Sequence, residues 1–203
     1  MKKLLLASHG FEKNKTLEQQ LLKLLPSLAK KLSAVIITTA SAEWKEKNIH
    51  AVSAKQVLEN MGFKKVAFMD VEFENPSKLK NFDVIYINGG NPFYLLYHLK
   101  KSGADKIIQK LADKGVILVG VSAGAVALGP SIKIAQYFDN EKNIVKLKNF
   151  SALKLTDIII LPHYKIEYEN KVKDFEKENN CQVTRLKDGQ GVAVIGDRVE
   201  FIK

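Results

Sequence analysis

The sequence is poor in cysteine, arginine and long apolar runs, and each scarcity closes off a class of function. Cys181 is the only cysteine, so neither an intrachain disulfide nor a thiolate metal cluster can be built. That composition suits a reducing compartment, and we expect a cytoplasmic protein. Only Arg185 and Arg198 carry guanidinium groups, although Lys and Arg together number 32 and the formal charge is +10. Arginine is the residue that grips phosphate and base edges with a planar fork. The lysines of "LLKLLPSLAKKL" and "KVKDFEKENN" sit among apolar or acidic neighbours rather than in blocks. The charge therefore reads as a solvated surface, with weak steering of anionic substrates as its other use. We expect no nucleic-acid partner. The opening "MKKLLLASHG" stops its apolar stretch well short of the roughly 7–15 residues of a signal-peptide core. The uncharged run "GVILVGVSAGAVALG" is too short for a bilayer and is broken by glycines and Ser122. We expect no membrane partner either.

What the chain does have is enough length and apolar content for one full core: 203 residues, 46% of them hydrophobic, predict a single domain over 1–203. Apolar, β-branched runs recur at residues 3–8, 33–40, 65–70, 83–88, 115–120 and 157–162. Helix-period segments separate the first five: "TLEQQLLKLLPSLAKKL", "KEKNIHAVSAKQVLENMG" and "NPFYLLYHLKKSGADKIIQKLADKG". Continuous apolar strands alternating with amphipathic helices predict an α/β three-layer sandwich, a mainly parallel sheet with helices on both faces. Near the C-terminus, "CQVTRL", "GVAVIG" and "RVEFIK" are short strands with hairpin turn chemistry between them, and predict antiparallel pairing. Residues 131–155 read as an irregular excursion.

Ligands of such sheets bind beyond the carboxyl ends of the strands. His9, Asp70, Asn88, Ser122 and His163 each follow a predicted strand, whereas Asp157 leads into one, and His50 and His98 fall in helices and read as surface residues. Gly120-Val121-Ser122-Ala123-Gly124 has the G-x-S-x-G form of a nucleophile elbow, in which small neighbours let strand and helix close while the strained serine is lifted above the sheet. A plain glycine-rich turn with Ser122 as a helix cap is the other reading. A second turn, "NGGNP", precedes a helix that Asn91 would cap and Pro92 would begin. It has neither the P-loop nor the dinucleotide spacing. The N–H groups of Gly90 and Ala123 could then receive an oxyanion. A serine needs a base: His163 in "LPHY" stands at the rim, with His9 as rival. For the acid that orients it, Asp188, Asp139, Glu167 and Glu169 remain open.

Together "NGGNPFYLL", "GVSAGA" and "LPHY" resemble the peptidase E family of aspartyl dipeptidases, relatives of cyanophycinase with a fold similar to class I glutamine amidotransferases. The resemblance implies a serine peptidase cleaving short peptides, with Ser122 as nucleophile, His163 as base, Asp188 as orienting acid and an oxyanion hole at Gly90 and Ala123. It implies no cofactor and no metal, and a monomer or homodimer. Asn91 and Lys165 are expected near the substrate. Aspartyl-specific members carry an arginine after the histidine; "HYKIEYENKVKDF" has none, so Lys165 or Lys171 would have to act as a point charge, and aspartyl specificity is not expected. The alternatives are a binding or regulatory protein that kept the scaffold and lost the reaction, or an acyl transferase.

Overall fold

A computed structural model describes residues 1–138 and 142–203 of the chain. Its first half runs β1 (Lys3–Ala7), α1 (Lys15–Leu24), β2 (Ser33–Ile37), α2 (Ile49–Asn60), β3 (Lys65–Met69), β4 (Val84–Ile87), α3 (Pro92–Ser102) and α4 (Ala104–Asp113). Then follow β5 (Ile117–Val121), α5 (Ala123–Leu128), α6 (Ala135–Phe138), β6 (Ile159–Leu161), α7 (Glu169–Asn179), β7 (Val183–Arg185), β8 (Gly191–Ile195) and β9 (Arg198–Ile202). Seven strands form one sheet in the order β3-β2-β4-β5-β1-β8-β9. The first five are mutually parallel, and β8 and β9 are antiparallel to their neighbours. This is the predicted three-layer architecture.

The central strands β1, β2, β4 and β5 are apolar and buried along most of their length because both faces are covered, and successive side chains feed opposite layers. Leu4, Leu6, Val35 and Ile37 point into a core shared with Leu95 and Leu99 of α3, Ile108 of α4 and Phe175 of α7. Leu5, Ala7, Ala34 and Ile36 point the other way, against Leu17 and Leu21 of α1 and Leu58 of α2. Local chemistry sets the helix ends. Asn14, Asn48 and Asn91 each cap a helix by accepting from N–H groups of its first turn. The helical pattern predicted through Leu32 stops at Leu24, because Leu25 turns extended ahead of Pro26. The long pattern after Pro92 breaks in two at Gly103, whose φ of 78° ends α3.

Two expectations for the C-terminal third are corrected. β6 does not join the main sheet, and β7 does not form an antiparallel hairpin; the two pair with each other, in parallel, as a separate small sheet. The free side of β1 is already taken by β8, and Ile160 and Leu161 instead extend the core on the α3, α5 and α7 side. Only β8 and β9 form the expected hairpin, around Gly196.

Arg185, on β7, ties this small sheet to α7: it donates to Glu169 and to Glu176 at 2.9 Å each. Those hydrogen bonds are the main reason that both carboxyls are held below the ordinary glutamate value of 4.5. A depressed carboxyl stabilises the fold above its unfolded pKa and loses that contribution as pH falls through its folded one. The melting temperature should therefore drop as pH is lowered from 4.5 towards 3. In Arg185→Gln the melting temperature should start lower at neutral pH and fall less steeply over the same acid range.

Candidate active site

The carboxyl ends of β1, β4 and β5 and the turn after β6 open onto one cavity of about 560 Å³, lined by Ser8, His9, Asn88, Gly89, Gly90, Ser122, Ala123 and His163 among others. Ser122 sits between β5 and α5 with φ 50° and ψ −114°, a conformation that costs energy for any residue with a side chain. Neighbouring backbone over-determines it. A Cβ on Gly120 would lie 2.7 Å from the Gly124 carbonyl oxygen, and a Cβ on Gly124 would lie 2.1 Å from that of Ile87. Strand and helix meet too closely for any other residue at these two places. Gly124→Ala should consequently cost about 1–3 kcal/mol in chemical unfolding, since α5 has to lift off β4 to admit the methyl group.

The hydroxyl of Ser122 does not cap α5. It lies 3.0 Å from Nε2 of His163, which disposes of the reading of Ser122 as a capping residue. On the other side of the ring, Nδ1 of His163 is 2.6 Å from Oδ1 of Asp188. The three side chains, brought from β5, the turn after β6 and the turn after β7, thus form one hydrogen-bonded line. The backbone at His163 is also left-handed, with φ 54°, and is fixed by its own hydrogen bonds. Its N–H donates to Oγ of Ser8 at 2.7 Å, and the next N–H, of Tyr164, donates to the Leu186 carbonyl at 3.0 Å.

Ser8 is the residue that sequence reasoning missed. Fully buried at the end of β1, it accepts from the His163 backbone and donates to Oδ1 of Asp188 at 3.2 Å, so one hydroxyl sets the position of both partners. Burial raises the pKa of Asp188, but the His163 hydrogen bond, the charges of His163 and His9 and the Ser8 hydroxyl outweigh it and hold the carboxyl below its ordinary range. Asp188 is therefore ionised at neutral pH, as an acceptor of Nδ1–H must be.

The remaining candidates fall elsewhere. Glu169 is engaged by Arg185 and by the Tyr164 hydroxyl, and Glu167 stands in solvent beside Lys165 at 4.0 Å. Asp139 lies outside the described residues. Nδ1 of His9, the rival base, faces Glu12 at 3.2 Å rather than Ser122. Asp70 is buried against Thr39 and Lys45, at 2.8 and 2.9 Å. Asn91 caps α3 as expected but is not brought to the cavity, where it is also expected: its Oδ1 accepts from Phe93 and Tyr94, its Nδ2 donates to the Lys142 carbonyl, and it does not line the cavity. Lys165 does line it, with a largely exposed ammonium. His50 is exposed, as expected, yet borders the cavity. His98 is corrected outright, being buried beside Glu72 and Tyr94, because the segment after β3 folds over α3 there.

Gly90 and Ala123 line the same cavity as Ser122. Gly90 has φ 137°, and a Cβ there would come within 2.5 Å of the Ala40 carbonyl oxygen. Ala123 opens α5, where backbone N–H groups have no acceptor within the helix.

Several known proteins are similar to this chain over most of its length. An uncharacterized peptidase of Listeria monocytogenes is 39% identical over 136 residues, 65% of this chain and 65% of its own. Peptidase E of Streptomyces coelicolor is 31% identical over 132 residues, 60% of this chain and 53% of its own. The chain thus matches a little under two thirds of the length of the first and about half of the second. A crystal structure assigned to a peptidase E protein of L. monocytogenes superimposes with a TM-score of 0.83 at 30% identity, covering 100% of this chain and 98% of that one. The profile of peptidase family S51 matches residues 4–202, a span that includes the elbow, the rim histidine and the late acidic turn, and by that match the chain belongs to peptidase family S51.

Proposed function

We propose that the protein is a serine peptidase that cleaves short peptides through Ser122, His163 and Asp188. The observation that carries this reading is the unbroken line from the Ser122 hydroxyl through both ring nitrogens of His163 to Asp188, at 3.0 and 2.6 Å. Asp188 accepts a hydrogen bond from Nδ1–H, which keeps that proton on Nδ1 and leaves the Nε2 lone pair facing Ser122. His163 takes the hydroxyl proton as Oγ attacks the scissile carbonyl. The N–H groups of Gly90 and Ala123 receive the oxyanion of the tetrahedral intermediate. His163 then returns the proton to the leaving amine, and water repeats the sequence on the acyl-enzyme.

For substrate choice, the cavity offers histidines and the Lys165 ammonium but no arginine, and Arg185 is already held by two glutamates. An aspartyl side chain would meet a mobile point charge instead of a two-pronged guanidinium. Asp-X dipeptides are accordingly expected to be cleaved without marked preference. Screening the purified protein against a dipeptide library that includes Asp-X members tests both parts: no hydrolysis of any member contradicts the activity, and a strong preference for Asp-X contradicts the specificity.

Ser8 enters as a positioning residue. Ser8→Ala removes a hydrogen bond to the Asp188 carboxylate and one to the His163 backbone, and should lower kcat by about tenfold or more with KM little changed. An equal loss expressed only in KM would show that Ser8 shapes the pocket instead.

A further inference from the structure

Three of the chain's four histidines gather at this cavity, and two of them take no part in the hydrogen-bonded line. His9 follows β1, and His50 lies in the first turn of α2, packed edge to face with His9 at 5.4 Å between ring centres. Glu12, in the short helical turn after β1, completes the group. One ligand atom from each of His9, Glu12 and His50 can be chosen so that all three lie within 4.8 Å of one another. Nδ1 of His9 is shut off from solvent and has no hydrogen-bond partner among the described residues, although Oε1 of Glu12 is only 3.2 Å away. The pair is close but not aligned as donor and acceptor. A buried ring nitrogen in that position is costly unless something else satisfies it.

We propose that His9, Glu12 and His50 form a binding site for a divalent transition-metal ion of the zinc type, and that occupation of the site inhibits the enzyme. Two imidazole nitrogens and one carboxylate oxygen favour Zn²⁺, Co²⁺ or Ni²⁺ and are a poor set for Mg²⁺ or Ca²⁺, which take oxygen ligands. Metal–ligand bonds of roughly 2.0–2.2 Å bring tetrahedral ligand atoms to roughly 3.3–3.6 Å apart. Nδ1 of His9 and Oε1 of Glu12, 3.2 Å apart, already stand close to that spacing, and the exposed His50 can complete the set, which lies within 4.8 Å, by a rotamer change. Three protein ligands leave a fourth position for water or substrate.

The location gives the ion its consequence. The ring of His9 is 6.0 Å from that of His163, centre to centre, and both His9 and His50 border the cavity. A dication held there narrows the entrance. It also opposes the positive charge that His163 acquires when it takes the Ser122 proton. The binding claim stands on the His9, Glu12 and His50 geometry alone; the inhibition claim rests on the peptidase reading above.

The experiment is a titration of metal-free, untagged protein with Co²⁺, following the visible d–d bands of low-coordinate cobalt, with Zn²⁺ as competitor. Wild-type protein should bind one equivalent with micromolar affinity, and Ser122→Ala should do the same. His50→Gln and Glu12→Gln, each checked for an unchanged circular-dichroism melt, should bind at least about tenfold more weakly. Binding absent below millimolar Co²⁺, binding retained in both variants, or displacement by Mg²⁺ or Ca²⁺ at comparable concentration would overturn the site. Binding lost in His163→Ala but kept in His50→Gln would also overturn it, by assigning the ion to the line of Ser122, His163 and Asp188. For the second claim, dipeptide hydrolysis should fall along the Zn²⁺ binding curve, and full hydrolysis at saturating Zn²⁺ overturns the inhibition. A protein that binds Co²⁺ as expected yet hydrolyses no peptide would count against the peptidase reading and leave the metal site standing.

Discussion

Ser122→Ala should lower kcat for peptide hydrolysis by about 10⁴-fold or more while the protein remains folded. The size of the loss follows from chemistry: without Oγ there is no acyl-enzyme, and only the proposed oxyanion donors and attack by solvent water remain. Folding should be nearly unaffected. The Ser122 hydroxyl is neither a helix cap nor part of the core; its contact is the 3.0 Å approach to His163 at the cavity surface. The strained backbone at φ 50° remains in the alanine variant, held by the close meeting of Gly120 with α5 and of Gly124 with the end of β4. Steady-state kinetics with a dipeptide substrate, beside a thermal melt, measure both halves. Turnover retained within tenfold would place the nucleophile elsewhere.

Asp188→Asn is the second large effect, with kcat expected to fall by about 10⁴-fold. The amide is nearly the same size as the carboxylate, but its NH₂ can donate to Nδ1, which favours the tautomer with a proton on Nε2. That proton then faces the Ser122 hydroxyl and the ring cannot accept from it. Because the carboxyl of Asp188 is held below its ordinary range, it also stabilises the fold above its unfolded pKa, and that contribution is lost as pH falls through the folded value. The variant should therefore lose a little stability at neutral pH and show a flatter acid dependence. A kcat loss confined to a few fold would mean that Asp188 holds His163 in place without selecting its tautomer.

Much of this site was legible in the sequence because the constraints there are local. Gly120 and Gly124 answer a steric demand between adjacent elements, so their spacing about Ser122 survives as a pattern. The strand ends that carry His9, Asn88 and Ser122 follow from apolar runs. The proposed orienting acid was not legible from pattern. Asp188 and Glu169 are both carboxylates in polar surroundings, and what separates them is tertiary: Arg185 and Tyr164 occupy Glu169, whereas the turn after β7 places Asp188 at His163. Resemblance to a family supplied the choice that periodicity could not. Ser8 escaped notice because both of its hydrogen bonds reach residues more than a hundred positions away. His98 was misread because the groups that bury it, Glu72 with its Lys45 partner, come from other parts of the chain. For β6, three apolar residues look alike whether they enter the main sheet or a separate pair, and competition with β8 for the side of β1 decided it.

The most direct measurement is reaction of the purified protein with a fluorophosphonate, followed by peptide mapping of the modified residue, because only a serine made nucleophilic by a neighbouring base reacts. The account predicts a single phosphonylated serine at position 122, formed in wild type and absent in His163→Ala. An unreactive wild-type protein at neutral pH, or a modified residue other than Ser122, would contradict it.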